Sequence, residues 1–105
     1  MAVTIFIRRS LANKTITSKL APLLVQLRSR ATVQPGFITS QTFSSIEKNE
    51  EYLIISTWSS LEDWNIWMNS AERLEIQGQV DQLLGEKTIY RYYEPVAGGI
   101  PPATG

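Results

Sequence analysis

The segment EYLIISTW, Glu51 to Trp58, is apolar on both of the faces that a strand presents. Tyr52, Ile54 and Trp58 fall on one side, Leu53 and Ile55 on the other. β-Branched and aromatic residues at this density favour extended backbone. A strand of this kind needs cover above and below, whereas a half-solvated antiparallel strand alternates apolar with polar residues. Whatever sheet it joins must therefore lie between two layers.

The rest of the chain says what those layers are. AVTIFIRR (Ala2 to Arg9) reads as a strand with Val3, Ile5 and Ile7 on one face and Thr4, Phe6 and Arg8 on the other. After a polar stretch, Ile16, Leu20, Leu23, Leu24, Leu27 and Ala31 recur at helical spacing, which predicts an amphipathic helix of about four turns. Pro22 lies early in it, so the helix starts near Ser18 or bends there. Gln34 to Gly36 (QPG) breaks the helix, and Phe37 to Ile46 (FITSQTFSSI) is a second strand. Glu47 to Glu50 (EKNE) is the turn into EYLIISTW.

In TWSSLEDWNIWMNS, Ser59 or Ser60 caps a helix with Glu62 or Asp63 as its capping-box partner, and Trp64, Trp67 and Met68 share a helical face. Ser70 caps a further helix whose apolar stripe is Ile76, Val80, Leu83 and Leu84, and Gly85 is its C-terminal stop. KTIYRYYE (Lys87 to Glu94) is the last strand. Residues 1–94 thus make one domain, and the Pro/Gly-rich residues 95–105 are expected to form a mobile or draped tail.

The order β-α-β-β-α-β, its second helix broken in two, is the ferredoxin-like split βαβ pattern of the α+β class. It implies a four-stranded antiparallel sheet with the helices on one face. On the last strand Tyr90 and Tyr92 oppose Ile89 and Tyr93, so that strand too is apolar on both sides. The face away from the helices needs a partner, and a second copy of the same sheet is the simplest one. A homodimer with sheets packed face to face is expected.

Composition narrows the chemistry. The 105 residues include no Cys and no His. This excludes disulfides, Cys nucleophiles, thiolate metal sites, His general bases, Ser-His-Asp triads and His-ligated zinc or haem. Lys+Arg and Asp+Glu balance at 10 each, so nothing in the charge points to nucleic acid or a membrane surface. No apolar run is long enough to span a bilayer. In MAVTIFIRRS the basic residues follow the apolar run, the reverse of a secretory signal, which predicts a cytoplasmic protein.

VTIFIRR, a helix ending in QPGF, EYLIISTWSSLEDWNIWMNSAERLEIQ and a closing TIYRYYE resemble the antibiotic biosynthesis monooxygenase (ABM) domain family. The likeness runs from Val3 to Glu94, and the tryptophan-bearing helix with its caps is the most specific part. The resemblance implies a dimeric α+β barrel, each subunit keeping a cleft between its helices and its sheet. The family includes monooxygenases that act on aromatic polyketides and quinols without a cofactor, haem-degrading enzymes, and members with no assigned role. The haem-degrading branch uses an Asn on the first strand, a Trp on the helix and a His on the next helix. Trp67 matches the Trp, but Gln77 stands at the His and the Asn position falls near Arg8, so the axial ligand is lost.

The candidate cleft residues are Trp67, Gln77, Arg8, Trp64, Asn65 and Phe6, with no metal ligands and no cofactor. Trp67 is the residue expected to touch a ligand, while Trp64 and Trp58 first serve the helix–sheet core. A Gln77 amide facing the cleft would donate to and accept from a quinone or phenol oxygen, against the alternative of a solvated Gln. Arg8 shares a face with Phe6. If that face meets the helices, the guanidinium reaches the cleft and stabilises a phenolate or enolate. The alternative is a salt bridge at the rim. Adjacent Glu62 and Asp63 do not face each other on a helix and complement its N-terminus instead. Asn65 is either a ligand contact or solvated, and Tyr52, Tyr90, Tyr92 and Tyr93 read as sheet and interface residues, with the alternative that one of them stands in the cleft.

Two functions fit these residues. One is a cofactor-independent monooxygenase on a small aromatic, whose base is a carboxylate, a Tyr or the substrate's own acidity. The other is a non-catalytic dimeric binding module. A closed pocket with a buried carboxylate or Tyr beside Trp67 favours the first; a pocket filled by Trp64, Trp67 and Met68 favours the second.

Overall fold

The computed structural model describes residues 1–11, 14–48 and 50–101. Asn49 of the expected turn and residues 102–105 of the expected tail lie outside them. The elements follow the expected order: β1 (Val3–Ser10), α1 (Thr17–Ala31), β2 (Phe37–Ser44), β3 (Glu51–Trp58), α2 (Leu61–Met68), α3 (Ala71–Leu84) and β4 (Ile89–Tyr93). The four strands pair antiparallel in the order β2-β3-β1-β4, the ferredoxin-like arrangement.

β1 is a central strand, and its register sets Ile7 between Ile54 of β3 and Tyr90 of β4. This row belongs to the face covered by helices. Along β1 the burial alternates: Ile5, Ile7 and Arg9 are buried while Arg8 is exposed. Tyr52, Ile54, Ser56 and Trp58 continue the helix face on β3, as Tyr90 does on β4. Leu20 and Leu27 of α1 and Ile76, Val80 and Leu84 of α3 descend on it, and the two helices pack against each other. The 3.6-residue stripes read from the sequence are the buried stripes of both helices.

Local chemistry sets the helix ends. α1 begins at Thr17 after a 3₁₀ turn at Lys14–Ile16, so Pro22 stands in its second turn and removes the N–H that would reach the Ser18 carbonyl. Ser60 caps α2: its Oγ accepts from the Asp63 N–H at 3.1 Å. The Asp63 carboxylate accepts from the Ser59 and Ser60 hydroxyls at 2.7 and 2.9 Å. These bonds hold the Asp63 carboxyl below its ordinary range, Ser59 first. Ser70 caps α3 in the same manner, and Gly85 closes it in the left-handed conformation at φ 71°. No described helix is long and apolar enough to cross a membrane.

Among the described residues, no helix covers the opposite face of the sheet. Phe6, Leu53, Ile55 and Ile89 are half-buried there, Phe43 and Tyr93 are 40% and 53% exposed, and Phe6 meets Tyr93 edge-on at 4.8 Å. The described part of the tail, 95–101, is exposed and contains one short 3₁₀ turn at Ala97–Gly99.

Gly36 fixes the approach of the α1–β2 connection to the cap of α2. Its φ is 84°, its carbonyl accepts from the Ser59 N–H at 2.7 Å, and a Cβ there would collide with the Asp63 side chain. Gly36→Ala is therefore expected to destabilise the fold by about 1–3 kcal/mol in urea denaturation. An unchanged midpoint would show that this connection is not constrained.

Candidate functional site

A cavity of about 420 Å³ lies between α1 and the helix face of the sheet. Ile7, Ile54 and Ser56 line it from the sheet, Leu20, Leu24 and Leu27 from α1. Trp58, Trp64 and Trp67 line it as well, so the tryptophans are buried without filling the space. Val25 and Arg28 of α1 and Thr42 of the edge strand β2 are exposed lining residues, which puts the mouth along the α1–β2 edge. There the Arg28 guanidinium reaches the Ser40 carbonyl at 3.5 Å.

The aromatic wall is a connected stack. Trp58 meets Phe37 at 5.5 Å and Trp64 at 5.6 Å between ring centroids, both edge-on. The Trp58 indole N–H donates to the Ser56 hydroxyl at 2.7 Å. The Trp64 indole N–H is buried and has no partner among the described residues. Arg73 of α3, 3% exposed, sits with its guanidinium carbon 5.9 Å from the Trp64 ring centroid and 5.3 Å from that of Tyr90. It donates to the Met68 carbonyl at 3.1 Å and to the Tyr90 hydroxyl.

At the other end of the cavity stands Arg9, 6% exposed. Its Nη1 donates to Gln77 Oε1 and to the Thr88 hydroxyl, each at 3.1 Å. Gln77 in turn donates from Nε2 to Asp81 at 2.8 Å and to Thr88 at 3.1 Å. Among the described residues no carboxylate pairs with Arg9 directly; Asp81 is one amide removed. Arg9 Nε is buried and has no partner among the described residues. Burial pushes the Arg9 guanidinium below its ordinary range, nearby Arg73 adds to this, and Tyr90 and Asp81 act against it.

Of the residues singled out from the sequence, Trp64 and Trp67 line the cavity together. Gln77 is buried and does not line it; the amide holds Arg9 from behind. Arg8 and Phe6 do not belong to the cleft. They lie on the open face of the sheet, where Arg8 is 4.0 Å from Glu51, a strand carboxylate rather than Glu94 or a helix residue. The physical reason is strand parity: Ile5 and Ile7 face the helices, so their neighbours in sequence cannot. Asn65 is exposed on α2, its carbonyl accepting from Asn69, because it follows Trp64 by one residue and turns away from the buried face.

The residues missed are Arg9 and Arg73. Both carried a signal: Arg9 has the parity of Ile5 and Ile7, and Arg73 precedes Ile76 by three on the α3 stripe. Tyr52 also lines the cavity, whereas no Asp or Glu does among the described residues. Nor do those residues hold a group of three His, Cys, Asp or Glu able to bind a metal ion.

Residues 16–79, more than half of the chain, match the model of the antibiotic biosynthesis monooxygenase family. The chain belongs to that family. Solved structures share the fold. SnoaB, a cofactor-independent oxygenase from Streptomyces nogalater, superposes with a TM-score of 0.78 at 14% identity, over 90% of this chain and 93% of its own. Rv0793 from Mycobacterium tuberculosis gives 0.79 at 18% identity, over 91% and 96%. A conserved protein from Methanosarcina mazei Go1 gives 0.79 at 15% identity, over 89% and 91%. No curated protein matches the chain in sequence.

The Gln77 amide is one of the two acceptors, with the Thr88 hydroxyl, that hold the buried Arg9 charge. Gln77→Leu is expected to cost about 1–3 kcal/mol in urea denaturation, the penalty for a buried donor deprived of its partner. Stability equal to wild type would mean that Arg9 is solvated through the cavity instead.

Proposed function

We propose that the protein is a cofactor-independent monooxygenase acting on a small aromatic, a quinol or polyketide-like phenol, bound in the cleft between α1 and the sheet. The observation that carries this reading is a cavity that the tryptophans wall without filling, lined by Arg9 and Trp64, whose side chains each keep a buried donor without a partner among the described residues. A cavity of this size suits a ligand of two or three fused rings. Membership of the family adds the reaction class.

The chemistry follows from what the cleft offers. An electron-rich phenol loses its proton, and the resulting anion passes one electron to O2. Recombination forms a C–O bond, and loss of water from the hydroperoxide leaves a carbonyl. One oxygen atom enters the product and the other leaves as water, while the substrate supplies both reducing equivalents. The protein contributes orientation between aromatic walls, exclusion of water and cationic donors for the developing oxyanion. With no carboxylate lining the cleft among the described residues, the proton leaves through the Tyr52 hydroxyl or to water, driven by the substrate's own acidity.

The lack of a cleft carboxylate also supports a second reading, a binding module without catalysis. Oxygen uptake with a panel of quinols and anthrone-like phenols separates the two. The first reading expects turnover without added metal or flavin, and at least a tenfold loss in Trp67→Ala, about 1.4 kcal/mol of transition-state stabilisation. Binding of these compounds with no turnover on any of them would establish the second.

In either case we propose a homodimer through the open face, supported by the uncovered Phe6, Phe43, Leu53 and Ile55. Sedimentation equilibrium is expected to give twice the 11.8 kDa chain mass, and Leu53→Glu to give the single chain. A wild-type monomer would refute the pairing.

A further inference from the structure

Arg9 presents an electrostatic problem that the fold alone does not solve. Its guanidinium is buried on the helix face of a central strand, held by two neutral acceptors, Gln77 and Thr88. A buried cation normally has a carboxylate against it, because the loss of hydration is otherwise uncompensated. Here the nearest acidic group, Asp81, is engaged by the far side of the Gln77 amide. The charged and titratable groups acting on Arg9 besides Asp81 are Arg73 and Tyr90, and Arg73 adds a second cation.

The cavity is where the missing anion fits. Arg9, Arg28 and Arg73 all line it, and among its described lining residues there is no Asp or Glu to balance them. The donors left unpartnered, Arg9 Nε and Trp64 Nε1, belong to lining residues as well. An arginine used only to bridge β1 to α3 would have every N–H satisfied within the protein, as Arg73 more nearly does with a carbonyl, a hydroxyl and two ring faces. Arg9 instead keeps a buried donor without a partner among the described residues, in a side chain that lines an apolar, aromatic-walled space.

We propose that the ligand of this cavity is a planar aromatic carrying an anionic oxygen, a carboxylate or an ionised hydroxyl, and that Arg9 is the residue that selects it. The charge-assisted bond from Arg9 to that oxygen supplies the counterion, and the rings lie against the tryptophans. Gln77 is a positioning residue: its amide orients Arg9 without neutralising it, which a Glu in its place would do. The proposal rests on the cleft being the ligand site and not on turnover, so its test uses binding alone. Oxygen uptake can fail while anion selection holds, and the reverse.

Calorimetric titration of the purified full chain at neutral pH compares charged probes with neutral near-isosteres. One pair is 2-hydroxy-1,4-naphthoquinone, ionised at that pH, and its 2-methoxy analogue; the other is 2-naphthoate and 2-naphthamide. The ionised member of at least one pair is expected to bind about tenfold or more tightly than its neutral partner, and the pair that discriminates identifies the anionic group. Arg9→Gln is expected to abolish that preference, bringing the two members of the pair to similar affinity. Gln77→Glu combined with Asp81→Asn, which keeps Arg9 and places a carboxylate against it with no second carboxylate beside that one, is expected to do the same, and it serves where Arg9→Gln does not fold. Equal affinities within both pairs for wild type, a preference that survives this double variant, or no binding of any probe at millimolar concentration would overturn the proposal.

Discussion

The interaction on which this structure turns is the burial of a guanidinium on the central strand. Arg9 occupies the position after Ile5 and Ile7 in the row of β1 side chains that face the helices. An apolar side chain there would simply extend the core. An arginine requires acceptors to be brought to it, and those come from α3 and from the segment entering β4, through Gln77 and Thr88. Asp81 then orients Gln77. One polar group on the strand thereby fixes the seat of α3 at this end of the domain, while Ile76, Val80 and Leu84 fix the rest by apolar burial.

The cavity follows from the same arrangement. α3 is drawn onto β1 and β4, whereas α1 spans towards the edge strand β2 and leaves space beneath it. The tryptophans of the α2 segment and the end of β3 turn that space into an aromatic slot. Their mutual edge-on packing, from Phe37 through Trp58 to Trp64, stiffens the wall, and a site held by a rigid wall keeps its shape without a ligand. Below the sheet the logic differs. Leu53 and Ile55 are as apolar as the residues above them but have no helix to meet. The doubly apolar β3 is thus used once inside the subunit, and its second face supports the pairing proposed with another copy.

Most of the fold was legible because local signals agreed with one another. The Ser60 and Ser70 caps, the Gly85 stop and the stripes of α1 and α3 all stand where spacing places them. The site was only partly legible. Helical spacing put Trp64 and Trp67 on one buried face, and the family resemblance set Trp67 at the cleft wall, but Arg8 and Arg9 are consecutive and differ only in parity. Parity separates two faces without saying which is covered, and β3 is apolar on both, so the strand pattern alone did not assign the cleft to Ile5, Ile7 and Arg9. Gln77 and Arg73 sit on the apolar stripe of α3, where a polar side chain is as compatible with the helix border as with a buried network. Only contact with Arg9 and Tyr90 distinguishes those cases.

The most direct measurement is an NMR titration of the side-chain N–H groups with 2-hydroxy-1,4-naphthoquinone, the indole signals being assigned with single Trp→Phe variants. The expected result is that the Arg9 Nε–H and Trp64 Nε1–H resonances, the unpartnered buried donors, move together and saturate at one ligand per chain. The Trp58 indole, already bonded to Ser56, should move least of the three tryptophans. Saturating shifts confined to the guanidinium N–H groups of Arg8 and Arg91 on the open face, with both cleft donors unmoved, would contradict a ligand site beneath α1.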